Sequence, residues 1–149
     1  MKQLFTVILV VCALNFSYAQ CDTKVREAFG GISSLSLYNT YITIGSIADS
    51  YVSEVYDSER VEKLMDEQIA MIAAVNKMLN ECRIPKSDGL SSEDVEYIKE
   101  IMVCLDYLSL EAEGLKDYAK TKSSTGQQKY SDYRNKAWDM IEDLLGLND

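Results

Sequence analysis

The fold is decided by residues 91–120, which read SSEDVEYIKEIMVCLDYLSLEAEGLKDYAK. Their apolar residues recur at alternating steps of three and four, which is the spacing of one helix face in a bundle. Ser91 or Ser92 can cap the start of this helix, and acidic residues follow in the first turn, where the helix dipole favours them. The predicted buried face of helix 3 consists of Ile98, Ile101, Leu105, Leu108, Ala112, Leu115 and Ala119.

The segments on either side of this stretch also have helical spacing. Helix 1 is predicted from about residue 22 to about residue 55, helix 2 from about Asp57 to about Glu81, and helix 4 after the polar loop 123–128. The predicted apolar face of helix 1 consists of Val25, Phe29, Ile32, Leu35, Ile42, Gly45, Ala48, Val52 and Val55. That of helix 2 consists of Val61, Leu64, Met65, Ile69, Ile72, Val75 and Leu79. That of helix 4 consists of Tyr130 or Tyr133, Ala137, Trp138, Ile141, Leu144 and Leu145, before a stop at Gly146.

The first 19 residues have the pattern of a signal peptide. Lys2 precedes an uncharged apolar stretch, and Ser17 and Ala19 place small side chains where signal peptidase recognises them. A membrane anchor needs about 20 apolar residues, which this stretch does not reach. Gln20 does not suit a lipoprotein signal, which places small residues directly before an acylated cysteine such as Cys21. We therefore expect cleavage after Ala19 and a secreted or periplasmic protein with no stable transmembrane span.

The domain that remains after cleavage is predicted to comprise residues 20–149. Four amphipathic helices with short connections fold most simply as an antiparallel bundle, because each helix then buries its apolar face against two neighbours. The sequence therefore predicts an all-α protein, in which a signal peptide at 1–19 is followed by a single domain with up-down-up-down topology.

Composition excludes several classes of function. The chain has 15 basic residues, one of which is removed with Lys2, and 24 acidic residues, so the mature net charge is −10. Nucleic acid is therefore not an expected partner, since phosphate binding depends on a basic surface. The chain contains no histidine, which excludes serine–histidine and cysteine–histidine hydrolases and the Glu-x-x-His sites of di-iron bundles. No cofactor and no metal site is predicted.

The mature chain keeps three cysteines, Cys21, Cys82 and Cys104, and three pairings are possible. In the predicted bundle, helix 1 begins and helix 2 ends at the same end. Cys21 and Cys82 lie at these two ends, whereas Cys104 lies about 20 Å along helix 3 at about 1.5 Å per residue. A Cys21–Cys82 disulfide is therefore predicted, and Cys104 is interpreted as a small buried residue.

The charge of the mature chain is polarised. Residues 116–136 contain six basic and two acidic residues, a net charge of +4, which leaves −14 on the rest. The predicted topology places this segment near several tyrosines, and tyrosines and basic groups together can bind anions. The candidate partner-binding pole consists of Tyr51, Tyr56, Tyr118, Lys120, Lys122, Lys129, Tyr130 and Tyr133. Its expected partner is an acidic glycan, a lipid headgroup or an acidic protein. Alternatively, the lysines only offset a helix dipole and the tyrosines only close the bundle.

These observations favour a non-enzymatic binding or accessory protein of the periplasm or the extracellular space. The alternative is a carboxylate-dependent hydrolase that acts on cell-envelope material. That enzyme would need a concave site with two carboxylates about 5 to 10 Å apart. The pocket geometry distinguishes the two hypotheses.

Overall fold

A computed structural model of the chain describes residues 28–83 and 91–147. The chain divides into two compact units, 1–33 and 34–149. The described part of the first unit, 28–33, is helical. The predicted signal peptide, Cys21 and the side chain of Cys82 lie outside the described residues, so cleavage and the Cys21–Cys82 pairing stay predictions.

The described residues are helical and include no strand. Helix α1 covers 28–52, of which 34–52 belong to the second unit. Helix α2 is Ser58–Arg83, α3 is Ser92–Thr121 and α4 is Ser124–Leu145. The all-α prediction is confirmed for these residues, and the packing described below makes them a helical bundle. None of these helices is both long and apolar enough to cross a membrane.

The ends of α3 and α4 follow from local hydrogen bonds. Ser91 is the N-cap of α3, because its hydroxyl accepts the amide of Asp94 at 3.1 Å while the Asp94 carboxylate accepts the amide of Ser91 at 2.7 Å. Ser123 caps α4 by accepting the amide of Gly126 at 3.1 Å, so the predicted loop at 123–128 is wrong after its first residue. Helix α4 stops at Gly146, whose φ of 65° is the left-handed conformation that glycine adopts without strain.

Helix α3 forms the middle of the core. All seven residues of its predicted face are at most 6% exposed, so this prediction is confirmed: Ile98, Ile101, Leu105, Leu108, Ala112, Leu115 and Ala119. Cys104 is fully buried beside them, with its sulfur 4.0 Å from the carbonyl oxygen of Ala137 in α4. Burial raises the pKa of the Cys104 thiol to about 12, so Cys104 behaves as the small buried residue that the sequence indicated.

The predicted apolar face of helix 1 is largely wrong within the second unit. Leu35, Ile42 and Val52 are 55%, 41% and 75% exposed, and only Gly45 and Ala48 of that face are buried. Val55 is also exposed, in the turn after α1. The observed inner face includes Ser34, Leu37, Tyr41, Ile44, Ala48 and Tyr51, and Ile47 is buried beside it. These residues also recur at steps of three and four, but tyrosine and serine fill positions that a count of aliphatic residues assigns elsewhere.

The predicted face of helix 2 is confirmed at three of its seven positions, and Leu64, Ile69 and Leu79 are partly buried against the core. Val61 and Met65 are fully buried and Ile72 is 4% exposed. Val75 is 40% exposed, so its assignment to the core is wrong.

The starts of α2 and α4 both lie beside the end of α3. Glu62 in the first turns of α2 accepts from Lys120 near the end of α3, at 3.4 Å. Asn76 near the end of α2 donates to Asp106 of α3 at 2.7 Å. The start of α4 lies on the end of α3, since a Cβ on Gly126 would meet backbone of the α3 end at 2.7 Å. These close approaches place side chains of α3 and α4 side by side.

Helices α1 and α3 meet at two points. The hydroxyl of Tyr51 donates to the carbonyl oxygen of Ala119 at 2.8 Å, and the hydroxyls of Ser34 and Tyr97 lie 3.2 Å apart. The late residues of α1 therefore lie beside the late residues of α3. This contact brings Tyr51 to the end of α3, where Lys122 follows.

Candidate functional site

The six basic residues of 116–136 divide into two groups. Four form ion pairs with carboxylates: Lys116 with Asp66, Lys120 with Glu62, Lys129 with Glu113, and Arg134 with Glu111. The other two, Lys122 and Lys136, have no carboxylate within ion-pair distance among the described residues. Each of these two ammonium groups instead lies over two tyrosine rings.

The first of these arrangements, the end cluster, consists of Tyr51, Tyr118 and Lys122. The Lys122 ammonium lies 3.9 Å from the ring centroid of Tyr51 and 5.6 Å from that of Tyr118. The two rings pack edge to face with centroids 6.1 Å apart. Tyr51 is buried and its hydroxyl is bonded to backbone, so it fixes the position of the ring below Lys122.

The backbone at Lys122 is strained. Lys122 is the C-cap of α3 with φ 53°, and its amide donates to the carbonyl oxygen of Tyr118 at 2.8 Å. The left-handed conformation costs a residue with a Cβ about 1 to 2 kcal/mol, which glycine avoids. The cation–π contacts with the two rings offset part of this cost. The strained residue is therefore the one whose ammonium group lies over the rings of Tyr51 and Tyr118.

The second arrangement, the seam cluster, lies where α3 meets α4 and consists of Tyr107, Tyr133 and Lys136. The two half-buried rings have centroids 6.0 Å apart at 36°. The exposed Lys136 ammonium lies 4.7 Å from the centroid of Tyr133 and 5.8 Å from that of Tyr107. An open groove of about 650 Å³ shares Tyr133 with this cluster. It is lined by Ser124, Thr125, Gln128, Lys129, Asp132 and Tyr133.

The other residues of the predicted pole lie apart from the two clusters. Tyr56 is half-buried after α1 and has the guanidinium of Arg60 6.0 Å from its ring centroid. The Lys120 ammonium faces α2, and Lys129 lies in the groove with its ammonium 2.7 Å from a carboxylate oxygen of Glu113. The structure thus brings together Tyr51, Tyr118 and Lys122, and places Lys129 and Tyr133 in a separate groove.

Tyr130 belongs to a third arrangement, which sequence reasoning missed. Glu111 of α3 is fully buried, and its Oε1 accepts from Nη1 of Arg134 in α4 at 2.7 Å. The guanidinium lies 3.9 Å from the ring centroid of Tyr41 and 5.9 Å from that of Tyr130. It also donates to the carbonyl oxygen of Tyr41 at 3.3 Å. This buried ion pair joins α1, α3 and α4.

Gly45 makes room for the buried ion pair. A Cβ at position 45 would lie 2.6 Å from Nη2 of Arg134, closer than two such atoms can approach. A glycine within a helix lowers its stability by about 1 kcal/mol relative to alanine. At position 45 this cost is offset because the missing side chain leaves space for the guanidinium of Arg134. The guanidinium passes over the backbone of α1 to reach the Tyr41 ring.

The electrostatics of the buried ion pair are dominated by desolvation. Burial raises the pKa of Glu111 to about 7, although the hydrogen bond and charge of Arg134 lower it. Oε2 of Glu111 has no hydrogen-bond partner among the described residues. Burial likewise raises the pKa of Tyr130 to about 12. Because Glu111 has no exposed surface, this pair acts within the fold and not on a ligand.

The comparisons with known proteins give no relative. No protein-family model, curated protein or solved structure matches the chain. Among the residues that the structure describes, no group of three or more metal-ligating side chains comes together. The two tyrosine–lysine clusters are the candidate functional site because each holds an exposed ammonium group over two tyrosine rings.

Proposed function

We propose that the chain is an exported, non-enzymatic helical-bundle protein that binds an anionic partner through the end cluster and the seam cluster. One observation carries the proposal. Of the six basic groups in 116–136, the two without a carboxylate partner in the described residues are also the two that lie over pairs of tyrosines. Their charge is available to an external anion.

The physics of the clusters favours binding. A lysine held over aromatic rings has already lost part of its rotamer entropy, so less is lost when an anion binds. The rings add apolar area and a hydroxyl at the same place. A partner that contacts Lys122 or Lys136 does not have to displace a carboxylate of the protein. Lys120 and Lys129 would first have to leave Glu62 and Glu113.

The proposal includes the up-down-up-down topology and the export of the mature chain. The pairing of early α2 with late α3, and of early α4 with late α3, supports antiparallel neighbours. The contact of Tyr51 with Ala119 supports parallel α1 and α3, as this topology requires of alternate helices. Export rests on the signal-peptide pattern of residues 1–19 and gives the clusters an extracytoplasmic partner.

The hydrolase alternative has no comparable support. The fully buried carboxylate, Glu111, is shielded from solvent and paired with Arg134. The groove beside Tyr133 has a single carboxylate in its lining, Asp132, and its Oδ1 accepts from the amide of Gln128 at 2.6 Å. An acid–base pair needs a second carboxylate on the same concave surface. We therefore retain the binding proposal.

The proposal is tested by salt elution of the mature chain, residues 20–149, from three polyanions: dextran sulfate, phosphatidylglycerol vesicles and polyglutamate. We expect at least one of them to retain the protein. We expect K122Q/K136Q to weaken that retention about tenfold, the order of magnitude of two lost cation contacts.

The matched control is K120Q/K129Q, which removes the same charge from the same segment but at two lysines that have carboxylate partners. We expect it to elute close to the wild type. Equal losses in the two variants would mean that only net charge matters, and would contradict the proposal, as would the absence of retention on all three polyanions.

A further inference from the structure

We infer that the seam cluster and its groove form a binding site for an acidic oligosaccharide, with a sugar ring against Tyr133 and a carboxylate at Lys136. This inference rests on the proposed function and names the class of ligand. Three features of the α3–α4 seam carry it. They are an aromatic platform, a polar groove that shares Tyr133 with the platform, and the Lys136 ammonium over Tyr133, which has no carboxylate partner among the described residues.

The aromatic platform is fixed before any ligand binds. Tyr133 and Tyr107 pack against each other from two helices, with ring centroids 6.0 Å apart, and both remain half-buried. Each ring is thus held in place by the other, while part of each ring is exposed to solvent. The C–H face of a pyranose packs on such a ring, since the ring supplies rigid apolar area at low entropic cost.

The groove offers the hydrogen-bonding groups that sugar hydroxyls require. Its volume of about 650 Å³ lies within the range of small-molecule sites. The amide of Gln128 donates to Oδ1 of Asp132 at 2.6 Å, which orders both side chains one turn apart on α4. This hydrogen bond leaves three groups available to the hydroxyls of a ligand: the amide oxygen of Gln128, its second N–H and Oδ2 of Asp132. The hydroxyls of Ser124 and Thr125 add groups that both donate and accept.

The lining distinguishes a saccharide from the other two anionic partners. Apart from the Tyr133 ring, every side chain that lines the groove is polar. A lipid headgroup site needs adjacent apolar side chains that enter the bilayer, and a docked acidic protein needs an apolar centre to its interface. A saccharide requires neither, because its own surface alternates hydroxyls with small C–H faces. Because the groove is open, it does not have to enclose the whole of a bound oligosaccharide.

Charge selects an acidic sugar over a neutral one. Lys136 has no carboxylate partner among the described residues, and its ammonium lies 4.7 Å from the Tyr133 ring centroid. A uronic acid that packs on Tyr133 would bring its carboxylate within reach of Lys136. The nearby carboxylate of Glu113 is paired with Lys129, with 2.7 Å between Oε2 and Nζ, which weakens its repulsion of a bound carboxylate.

The test is a titration of the ¹⁵N-labelled mature chain, followed by NMR, with tetragalacturonate and with a hyaluronan tetrasaccharide. Maltotetraose is the neutral control. We expect saturable shifts confined to the amides of 124–136 and to those around Tyr107 with at least one acidic sugar, and binding of maltotetraose at least tenfold weaker. K136Q should abolish this preference for the acidic sugar, whereas K120Q should leave it unchanged.

The aromatic contribution is tested with two variants of one position. Tyr133→Phe keeps the ring, and we expect affinity within threefold of wild type. Tyr133→Leu removes the ring, and we expect at least a tenfold loss. If Tyr133→Leu does not give a dispersed folded spectrum, the loss of the acidic preference in K136Q carries the test of the site, because Lys136 is an exposed side chain.

Failure of this inference differs from failure of the proposed function. No saturable binding of either acidic sugar, shifts confined to amides far from both Tyr107 and 124–136, or an unchanged acidic preference in K136Q would overturn the saccharide site. If the vesicles or polyglutamate still retain the wild type and not K122Q/K136Q, the anionic partner is of another class and the proposed function stands. If no polyanion is retained, both fail.

Discussion

Arg134 and Lys136 stand two positions apart on α4, and both place a cation over a tyrosine ring. The Arg134 guanidinium is paired with the fully buried Glu111 and lies 3.9 Å from the Tyr41 ring centroid. Lys136 is exposed, lies over Tyr133, and has no carboxylate partner among the described residues. The same kind of contact therefore has two consequences. With a buried carboxylate it joins three helices, and without one it leaves a positive charge for a partner.

The largest expected effect comes from removing Arg134, the half-buried partner of the fully buried Glu111. Arg134→Met leaves Glu111 buried without its partner, and removing one member of a buried pair costs about 3 kcal/mol or more at a pH where the other is ionised. We expect a loss of this order in the free energy of unfolding at pH 8, measured by urea denaturation. Lys136→Met is the control on the same helix and should change stability by less than about 0.5 kcal/mol. Equal losses would remove the distinction between the two cations.

Glu111 makes the comparison sensitive to pH. Its folded-state pKa of about 7 exceeds its ordinary value of 4.5, so between these values the folded chain holds a proton that the unfolded chain releases. The contribution of Glu111 to stability is therefore full below pH 4.5 and is lost as the pH rises towards 7 and above.

The expected difference, of the order of 2 kcal/mol, appears when wild type and Glu111→Gln are unfolded in urea at pH 5 and pH 8. The variant lacks this titration, so its stability relative to wild type should be higher at pH 8 than at pH 5. A pH-independent difference between the two proteins would mean that Glu111 stays ionised in the fold throughout this range.

Gly45 tests whether the guanidinium needs the space over α1. A Cβ there would lie 2.6 Å from Nη2 of Arg134, so we expect Gly45→Ala to cost about 1 to 2 kcal/mol despite the better helix propensity of alanine. Gly31→Ala is the matched control, since a Cβ added at that position would meet nothing within 4 Å, and should be neutral or stabilising. Thermal unfolding measures both. In an Arg134→Met background the cost of Gly45→Ala should disappear, and its persistence would assign the effect to another contact.

The smallest expected effect concerns Lys122. Lys122→Gly relieves a φ of 53° and loses the cation–π contacts, so these opposing changes should leave stability within about 0.5 kcal/mol of wild type. Lys122→Ala loses the contacts and keeps the strain, so it should be about 1 kcal/mol less stable than Lys122→Gly. Urea denaturation of the two variants checks this. Equal stability of both would show that the C-cap is not strained.

The sequence predicts the fold where one residue type fills one face. The predicted face of α3 is correct along its whole length because the positions that its spacing marks are aliphatic or alanine, and Ser91 and Gly146 mark helix ends by local hydrogen bonding. The start of α4 at Ser124 is not predicted, because the polar residues 124–128 carry no apolar spacing. Helix α1 fails because Tyr41, Tyr51 and Ser34 occupy its inner positions while Leu35 and Ile42 face outward. Amphipathic tyrosine supplies core area that aliphatic periodicity does not count.

The candidate site was only partly predictable for a different reason. The basic segment 116–136 and its tyrosines are visible in the sequence, but which lysines have carboxylate partners depends on contacts between helices. Glu111 interrupts no periodicity, since it lies directly before Ala112 on the inner face of α3. A buried ion pair can therefore be recognised in a sequence by three features together. They are an acidic residue at an inner position of one helix, a basic residue on a neighbouring helix, and a glycine within a third helix.

The most direct test compares four lysines of segment 116–136 in one experiment: two with a carboxylate partner and two over tyrosine rings. Lysine acetylation of the mature chain is followed by mass spectrometry with and without the polyanion that retains it. We predict that the polyanion slows acetylation of Lys122 and Lys136 severalfold and leaves Lys120 and Lys129 nearly unchanged. Equal protection of all four lysines, or protection of Lys120 and Lys129 alone, would contradict the claim.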